Sequence, residues 1–277
     1  MGRIVAVGWG GAHAGTALAW ALAEAARPGN RLLLCHACPP SSPLAAAGTS
    51  PPTALLELSD PPLARAVAGA RTRLGANRVD LLVRPCSPRS VLLEGAQAAD
   101  LLILGEPGGN GALTRDLTAR APCAVLVARP TRGPAGPFAG RLVVGLDGSA
   151  PARAALEFAF EHADAYRCGL AAVHVEPARA VDATADGTPP DAAGFEPLVE
   201  EVAPWTHKYP EVPVAYGLFA GRPLPGLLRA TAGARLLLLG DHTRGPVARA
   251  LLGSVSAGAV RRAPCATAVA RDWERRH

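Results

Sequence analysis

The residues that could do chemistry concentrate in one stretch, Leu236-Leu-Leu-Leu-Gly240-Asp-His-Thr-Arg-Gly245-Pro-Val-Ala-Arg-Ala-Leu-Leu-Gly253-Ser254-Val255-Ser256. An apolar run ending in Gly predicts a strand buried on both faces, and Gly-Ser before an Ala/Val-rich segment predicts a helix start. Free backbone N–H groups and the positive end of the helix dipole would then converge on an anion, making a phosphate cradle. The competing reading is that these glycines only supply turns with positive φ. A second candidate group is Asp147 in Gly145-Leu-Asp-Gly-Ser149. A carboxylate at a strand end suits hydroxyl recognition better than phosphate recognition, or it simply caps the turn into the next helix.

Other chemistries find less support. A phosphate-transferring P-loop needs a lysine after its last glycine, and Lys208 lies near no glycine loop. A dinucleotide fingerprint at Gly8-Trp-Gly10-Gly-Ala-His13 fails because His13 takes the third glycine position. Asp147-Gly-Ser-Ala lacks the second glycine of a nucleophile elbow. His242 could serve as a base or phosphate donor, or be a plain loop residue. Cys35-His-Ala-Cys38 has redox or zinc spacing, but Cys35 falls in an apolar run and no second pair completes a site, so packing is expected.

The elements that must position these groups emerge from an internal repeat. Arg3-Ile-Val-Ala-Val-Gly-Trp9-Gly-Gly11 aligns without gaps on Arg141-Leu-Val-Val-Gly-Leu-Asp147-Gly-Ser149. His36 then meets His174, Asp100–Gly105 meets Arg235–Gly240, and Ala121-Pro-Cys123 meets Ala263-Pro-Cys265. Histidines and cysteines present in both copies are expected to pack rather than react. Two copies of one domain follow, 1–130 and 141–277, joined by a Pro/Gly-rich linker at 131–140. In the second copy, strands at Leu142–Leu146, Leu170–Val175, Val212–Phe219, Leu236–Leu239 and Thr267–Ala270 alternate with helices, among them Pro223–Ala230, Ser254–Arg262 and one whose apolar stripe is Ala155, Leu156, Ala159, Phe160 and Ala163. Ser149 is the expected N-cap of the first helix, and Glu176–Ala193 a loop before a helix at Glu196–His207. The pattern predicts two tandem α/β domains, each a doubly wound five-stranded parallel-sheet sandwich. If strands one and four are neighbours at the topological switch point, the loops carrying Asp147 and Gly240–Ser256 face one crevice.

Composition bounds the partners. A chain of 277 residues, 49% hydrophobic and 18% charged, is that of a soluble globular protein with room for two cores. The net charge of +5 is small and spread along the chain, against nucleic-acid binding. No apolar run reaches membrane-spanning length and no leader is read at the amino terminus, so no membrane association and a cytoplasmic location are expected.

The repeated set of Val-Val-Gly-Leu-Asp147-Gly-Ser149, Val173-His174-Val175, Leu-Leu-Gly253-Ser254-Val255-Ser256 and Ala263-Pro-Cys265 resembles the universal stress protein family in its tandem form, over essentially the whole chain. That resemblance implies an adenine nucleotide alpha hydrolase-like fold and a stress-response regulator binding ATP with Mg²⁺. The cofactor-binding residues it implies are Gly145, Asp147, Val175, Gly240, Thr243, Gly253, Ser254, Val255 and Ser256. Asp147 would contact the nucleoside, the main chain near Val175 the adenine, and the loop the phosphates. Thr243 replaces the middle glycine of the family's loop, where a branched Cβ resists positive φ.

In the first copy, Trp9 aligns with Asp147, Ala112 with Ser254, and Gly105 to Ala121 spans 16 positions against 23 from Gly240 to Ala263. That copy is expected to be structural, a degenerate domain pairing intramolecularly with the second. The alternatives are a protein that has lost nucleotide binding and works through protein contacts, or a slow ATP hydrolase using His242 and Asp147. The family's pairing through last strands is either satisfied within the chain or makes a homodimer through Thr267–Ala270.

Overall fold

The computed structural model describes residues 2–46, 51–106, 108, 111–133, 135–177, 182–186, 194–241 and 253–270. The chain forms two compact units, residues 1–129 and 130–277.

In the first unit, strands β1 (Ile4–Gly8), β2 (Arg31–Ala37), β3 (Val79–Arg84), β4 (Leu101–Gly105) and β5 (Ala124–Ala128) form a parallel sheet in the order β3-β2-β1-β4-β5. Helices α1 (Ala14–Ala25), α2 (Thr53–Ser59), α3 (Pro61–Leu74), α4 (Pro88–Ala98) and α5 (Ala112–Arg120) make the connections. The central strands are apolar because crossover helices leave a parallel sheet no wet face, polar residues being confined to β2 and the edge strand β3; Leu102, Ile103 and Leu126 are fully buried. Arg78 ties the end of α1 to the start of β3, donating to the carbonyls of Asn30 (2.7 Å), Arg27 (2.8 Å) and Ala25.

In the second unit, β6 (Leu142–Gly145), β7 (Leu170–Glu176), β8 (Ala183–Asp186), β9 (Val214–Ala220), β10 (Leu236–Gly240) and β11 (Ala266–Ala270) are ordered β11-β10-β6-β7-β9-β8. Helices α6 (Ala150–Tyr166), α7 (Glu196–Lys208), α8 (Pro223–Ala230) and α9 (Ser254–Arg262) connect them. The apolar stripe expected on α6, Ala155, Leu156, Ala159, Phe160 and Ala163, is buried, and the Ser149 hydroxyl caps the helix by accepting from the Ala152 amide at 3.2 Å. β9 starts at Val214 rather than Val212 because Pro213 has no N–H for the ladder.

Two features depart from the sequence reading. Among the described residues the second unit has six strands, not five, since β8 runs antiparallel to β9 inside the segment read as a loop. Its preceding Asp182 accepts from the Ala220 amide (2.8 Å) and from Arg229 Nε and Nη2 (3.1 and 3.0 Å), which staples the strand to the edge. The Pro/Gly-rich segment 131–140 also belongs to the second unit's packing. Phe138 is 2% exposed in a core with Val143, Val173 and Phe219, and the Gly140 amide donates to the Gly233 carbonyl at 2.9 Å. One aromatic anchor in a segment otherwise built of turn residues is enough to fold it onto a domain.

Candidate functional site

β6 and β10 are neighbours, so Asp147 after the one and Asp241 after the other leave adjacent strand ends, while residues 242–252 lie outside the described residues. Gly145 closes β6 where a methyl group would come within 2.7 Å of Leu239 Cδ2 and 3.1 Å of Leu227 Cδ2. The Leu146 amide still pairs with the Val173 carbonyl at 2.8 Å. Asp147 is the next residue and is exposed; its Oδ1 accepts from the Ser149 amide at 3.1 Å. Gly148 has φ +75°, and its carbonyl accepts from Arg153 Nη1 at 2.9 Å.

The strand ladder decides where the Val175 main chain points. The Val173 carbonyl faces β6, and with a period of two the N–H and C=O of Val175 point the same way. β6 pairs with β7 only as far as Gly145 and Val173, so those groups pass the end of β6 into the crevice. The Val175 side chain is buried against α8, where a methyl on Gly226 would meet its Cγ1 at 2.6 Å. His174 Nδ1 lies 2.8 Å from the Leu146 carbonyl, and because a carbonyl only accepts, that nitrogen carries the proton.

On the facing side, Gly240 abuts the first turn of α6, and a methyl there would lie 2.2 Å from the Pro151 carbonyl carbon. The buried Ser256 hydroxyl donates to the Gly240 carbonyl at 3.3 Å. α9 starts with Gly253 as N-cap and has no side-chain cap, which leaves the amides of Ser254, Val255 and Ser256 as first-turn donors. A crevice of about 140 Å³ is lined by Gly145, Asp147, Val175, Gly240, Val255 and Ser256. Gly253 and Ser254 adjoin it at the start of α9. Thr243 and His242 lie outside the described residues.

Sequence reasoning missed a second cavity, about 740 Å³, which shares Leu146, Asp147 and His174 with this crevice and is also lined by Arg153 and Glu201. Glu201 Oε1 is buried and has no hydrogen-bond partner among the described residues. Burial pushes the carboxyl pKa up; Arg153 pulls it down, Asp147 raises it and His174 lowers it. No motif marks Glu201, which lies on α7 beside the buried Leu198 and Val202.

The gapless alignment of the two copies is corrected at one point. Gly8 pairs with Cys35 as Gly145 pairs with Val173, while Val5 pairs with Leu101 as Leu142 pairs with Leu236. The first copy's turn is therefore one residue shorter, and Gly10, not Trp9, stands where Asp147 stands. Gly11 matches Gly148 with the same φ of +75°. Trp9 occupies the place of Leu146, its amide donating to the Cys35 carbonyl at 2.8 Å. Hydrophobicity alone could not reveal this, because both registers keep the strand apolar. The Cys35/Cys38 pair is buried and free, and burial pushes the Cys35 thiol up to about 12, in keeping with packing.

The sequence profile of the universal stress protein family matches residues 1–129 and 139–271. The chain belongs to the universal stress protein family. A stress-response role comes with that membership. A universal stress protein of Mycobacterium tuberculosis is 30% identical over 240 residues, covering 76% of each chain, and another from the same organism is 26% identical over 227 residues, covering 75% of this chain and 73% of the relative. Among solved structures, a universal stress protein from Archaeoglobus fulgidus superposes with a TM-score of 0.65 at 14% identity, covering 97% of this chain and 96% of its own. One described as a putative universal stress protein, from Pseudomonas aeruginosa, gives 0.60 at 14% identity, covering 97% and 92%. The structural likeness establishes the family's fold in both units. No helix among the described residues is long and apolar enough to cross a membrane.

Proposed function

We propose that this family member is a cytoplasmic stress regulator whose second unit binds ATP. The observation that supports the reading is the convergence on one crevice of the Asp147 carboxylate, the outward main chain of Val175 and the uncapped N-terminus of α9. The 140 Å³ niche suits a single ring system rather than a whole nucleotide. A purine there would meet the N–H and C=O of Val175, a complementary donor and acceptor pair. Asp147 would accept from a ribose hydroxyl, and the amides of Ser254, Val255 and Ser256 would face the phosphates. Gly253, with nothing within 4 Å of a built side chain, leaves room for the phosphates at the start of α9, whereas Gly145 and Gly240 are set by packing against the protein. Mg²⁺ would be held chiefly by the phosphates, offsetting their charge; no cluster of three metal-ligating side chains occurs among the described residues.

Titration of the full chain with fluorescently labelled ATP and Mg²⁺ tests the reading. One saturable site is expected, and no saturable binding below about millimolar concentration would sink it. Asp147→Ala is expected to weaken that site while Gly111→Ala in the first unit leaves it unchanged. Equal losses from both would refute a site confined to the second unit.

A further inference from the structure

The first unit lacks a carboxylate at the Asp147 position, yet it has not lost its crevice. A cavity of about 520 Å³ lies beyond the carboxyl ends of β1 and β4, within the size range of small-molecule sites. Its floor is made by Cys35, Val91, Leu92, Leu104 and Leu117, all buried. Trp9 and Leu113 stand at its lining from the turn after β1 and the first turn of α5. Leu113 is 39% exposed, one of two large hydrophobic side chains so exposed among the described residues.

Counting back from the conserved spacing of Ala121 and Ala263, Ala112, Leu113 and Thr114 stand where the second unit has Ser254, Val255 and Ser256. At the helix start a hydroxyl has become a methyl, and the next side chain has grown by one carbon. No Arg or Lys lines the cavity among the described residues, while Glu106 does. His36 is engaged, with Nδ1 3.1 Å from the Trp9 carbonyl and Nε2 3.4 Å from Asp60 Oδ2. A phosphate brought here would find the amides at the start of α5 and the His13 side chain, but also the Glu106 carboxylate and the apolar floor, at a desolvation cost that no Arg or Lys offsets.

We infer that the first unit is a ligand-binding domain in its own right, whose crevice takes an uncharged, largely apolar small molecule of roughly the size of two or three rings. The site is independent of ATP binding in the second unit, and the two fail separately. The exposed Leu113 is then the open lip of a pocket rather than an unexplained surface residue.

N-phenyl-1-naphthylamine, an uncharged dye that brightens in apolar surroundings, tests this on the full chain. One saturable site per chain is expected at micromolar dye, unaffected by excess ATP with Mg²⁺. Ala12→Trp, at an exposed lining position, and Leu113→Asp, which puts a charge at the lip, are each expected to weaken the dye at least tenfold without lowering the melting temperature by more than a few degrees. Absence of saturable binding overturns the inference. So does full affinity in either variant, which would place the dye elsewhere, and so does displacement by ATP, which would make the crevice a nucleotide site.

Discussion

The Ser149 amide donates to Asp147 Oδ1 at 3.1 Å, so the carboxylate facing the second unit's crevice is held in place by the turn it belongs to. Turn capping and the proposed nucleoside contact can be probed separately by substitution. Asp147→Asn keeps an acceptor for Ser149 and removes the charge, whereas Asp147→Ala removes both. Calorimetric titration should give at least tenfold weaker ATP binding for the alanine variant, in line with the ~1.5–3 kcal/mol of a hydrogen bond to a charged group. The asparagine variant should match wild type in thermal stability and fall between the two in affinity.

Gly253 is expected to trade stability against binding. It adopts φ −55°, meets nothing within 4 Å of a built side chain, and leaves α9 without a cap. Gly253→Asp supplies both a capping oxygen and a negative charge at the helix start, worth about 0.5 kcal/mol. The same carboxylate would occupy the amides that a phosphate needs. Thermal melts should rise slightly while ATP affinity falls by more than tenfold.

Gly240 is required by packing, whatever binds. A methyl there would overlap the backbone of Pro151 and Ala152, neither of which can rotate aside. Gly240→Ala should cost about 3 kcal/mol, read as a lowered urea midpoint with unchanged slope.

Glu201 sets a pH dependence of known sign. Burial, the leading cause, holds its folded-state pKa above the ordinary carboxyl value. A raised carboxyl pKa favours the folded state when the group is protonated, so this contribution is full below about 4.5 and is lost as pH rises through the folded value. Glu201→Gln removes the charge but not the shape. Its stability relative to wild type should increase from acid to neutral pH, as followed by denaturant midpoints across that window.

Arg78 supports the first unit from beneath α1. Its three carbonyl acceptors, Ala25, Arg27 and Asn30, lie at or just past a helix end, where carbonyls lack intrahelical partners. Arg78→Met keeps much of the packing volume and removes every donor. A loss of about 2 kcal/mol is expected in denaturant melts, with little effect on ATP binding to the second unit.

The strand and helix order was legible because the signals are local: apolar runs, Ser149 as a cap, the stripe on α6. Helices α8 and α9 start and stop at the residues expected, Pro223–Ala230 and Ser254–Arg262. What escaped depends on partners distant in sequence. Nothing in Ala183–Asp186 announces a strand, which forms because β9 offers an edge and Asp182 anchors to Arg229. Phe138 does not reveal its core from inside a Pro/Gly segment. The position of Trp9 needed the ladder, since a one-residue slip at a strand end leaves composition unchanged while reassigning every side chain beyond it. Of the candidate site, the glycines and Asp147 could be read from motifs. The outward Val175 main chain was implied only by family resemblance until the end of β6 was located.

The reversed strand β8 also bears on how the second unit behaves in concentrated solution. Sheet edges invite a strand from another molecule, and long, flat, apolar edges invite it most. Among the described residues this edge is four residues long, alternates half-buried and exposed positions, follows Asp182 and ends in Asp186, which pair with Arg229 and Arg141. A unit built from apolar parallel strands thus ends on that side in a short charged hem, which resists the edge-to-edge stacking that leads to fibres.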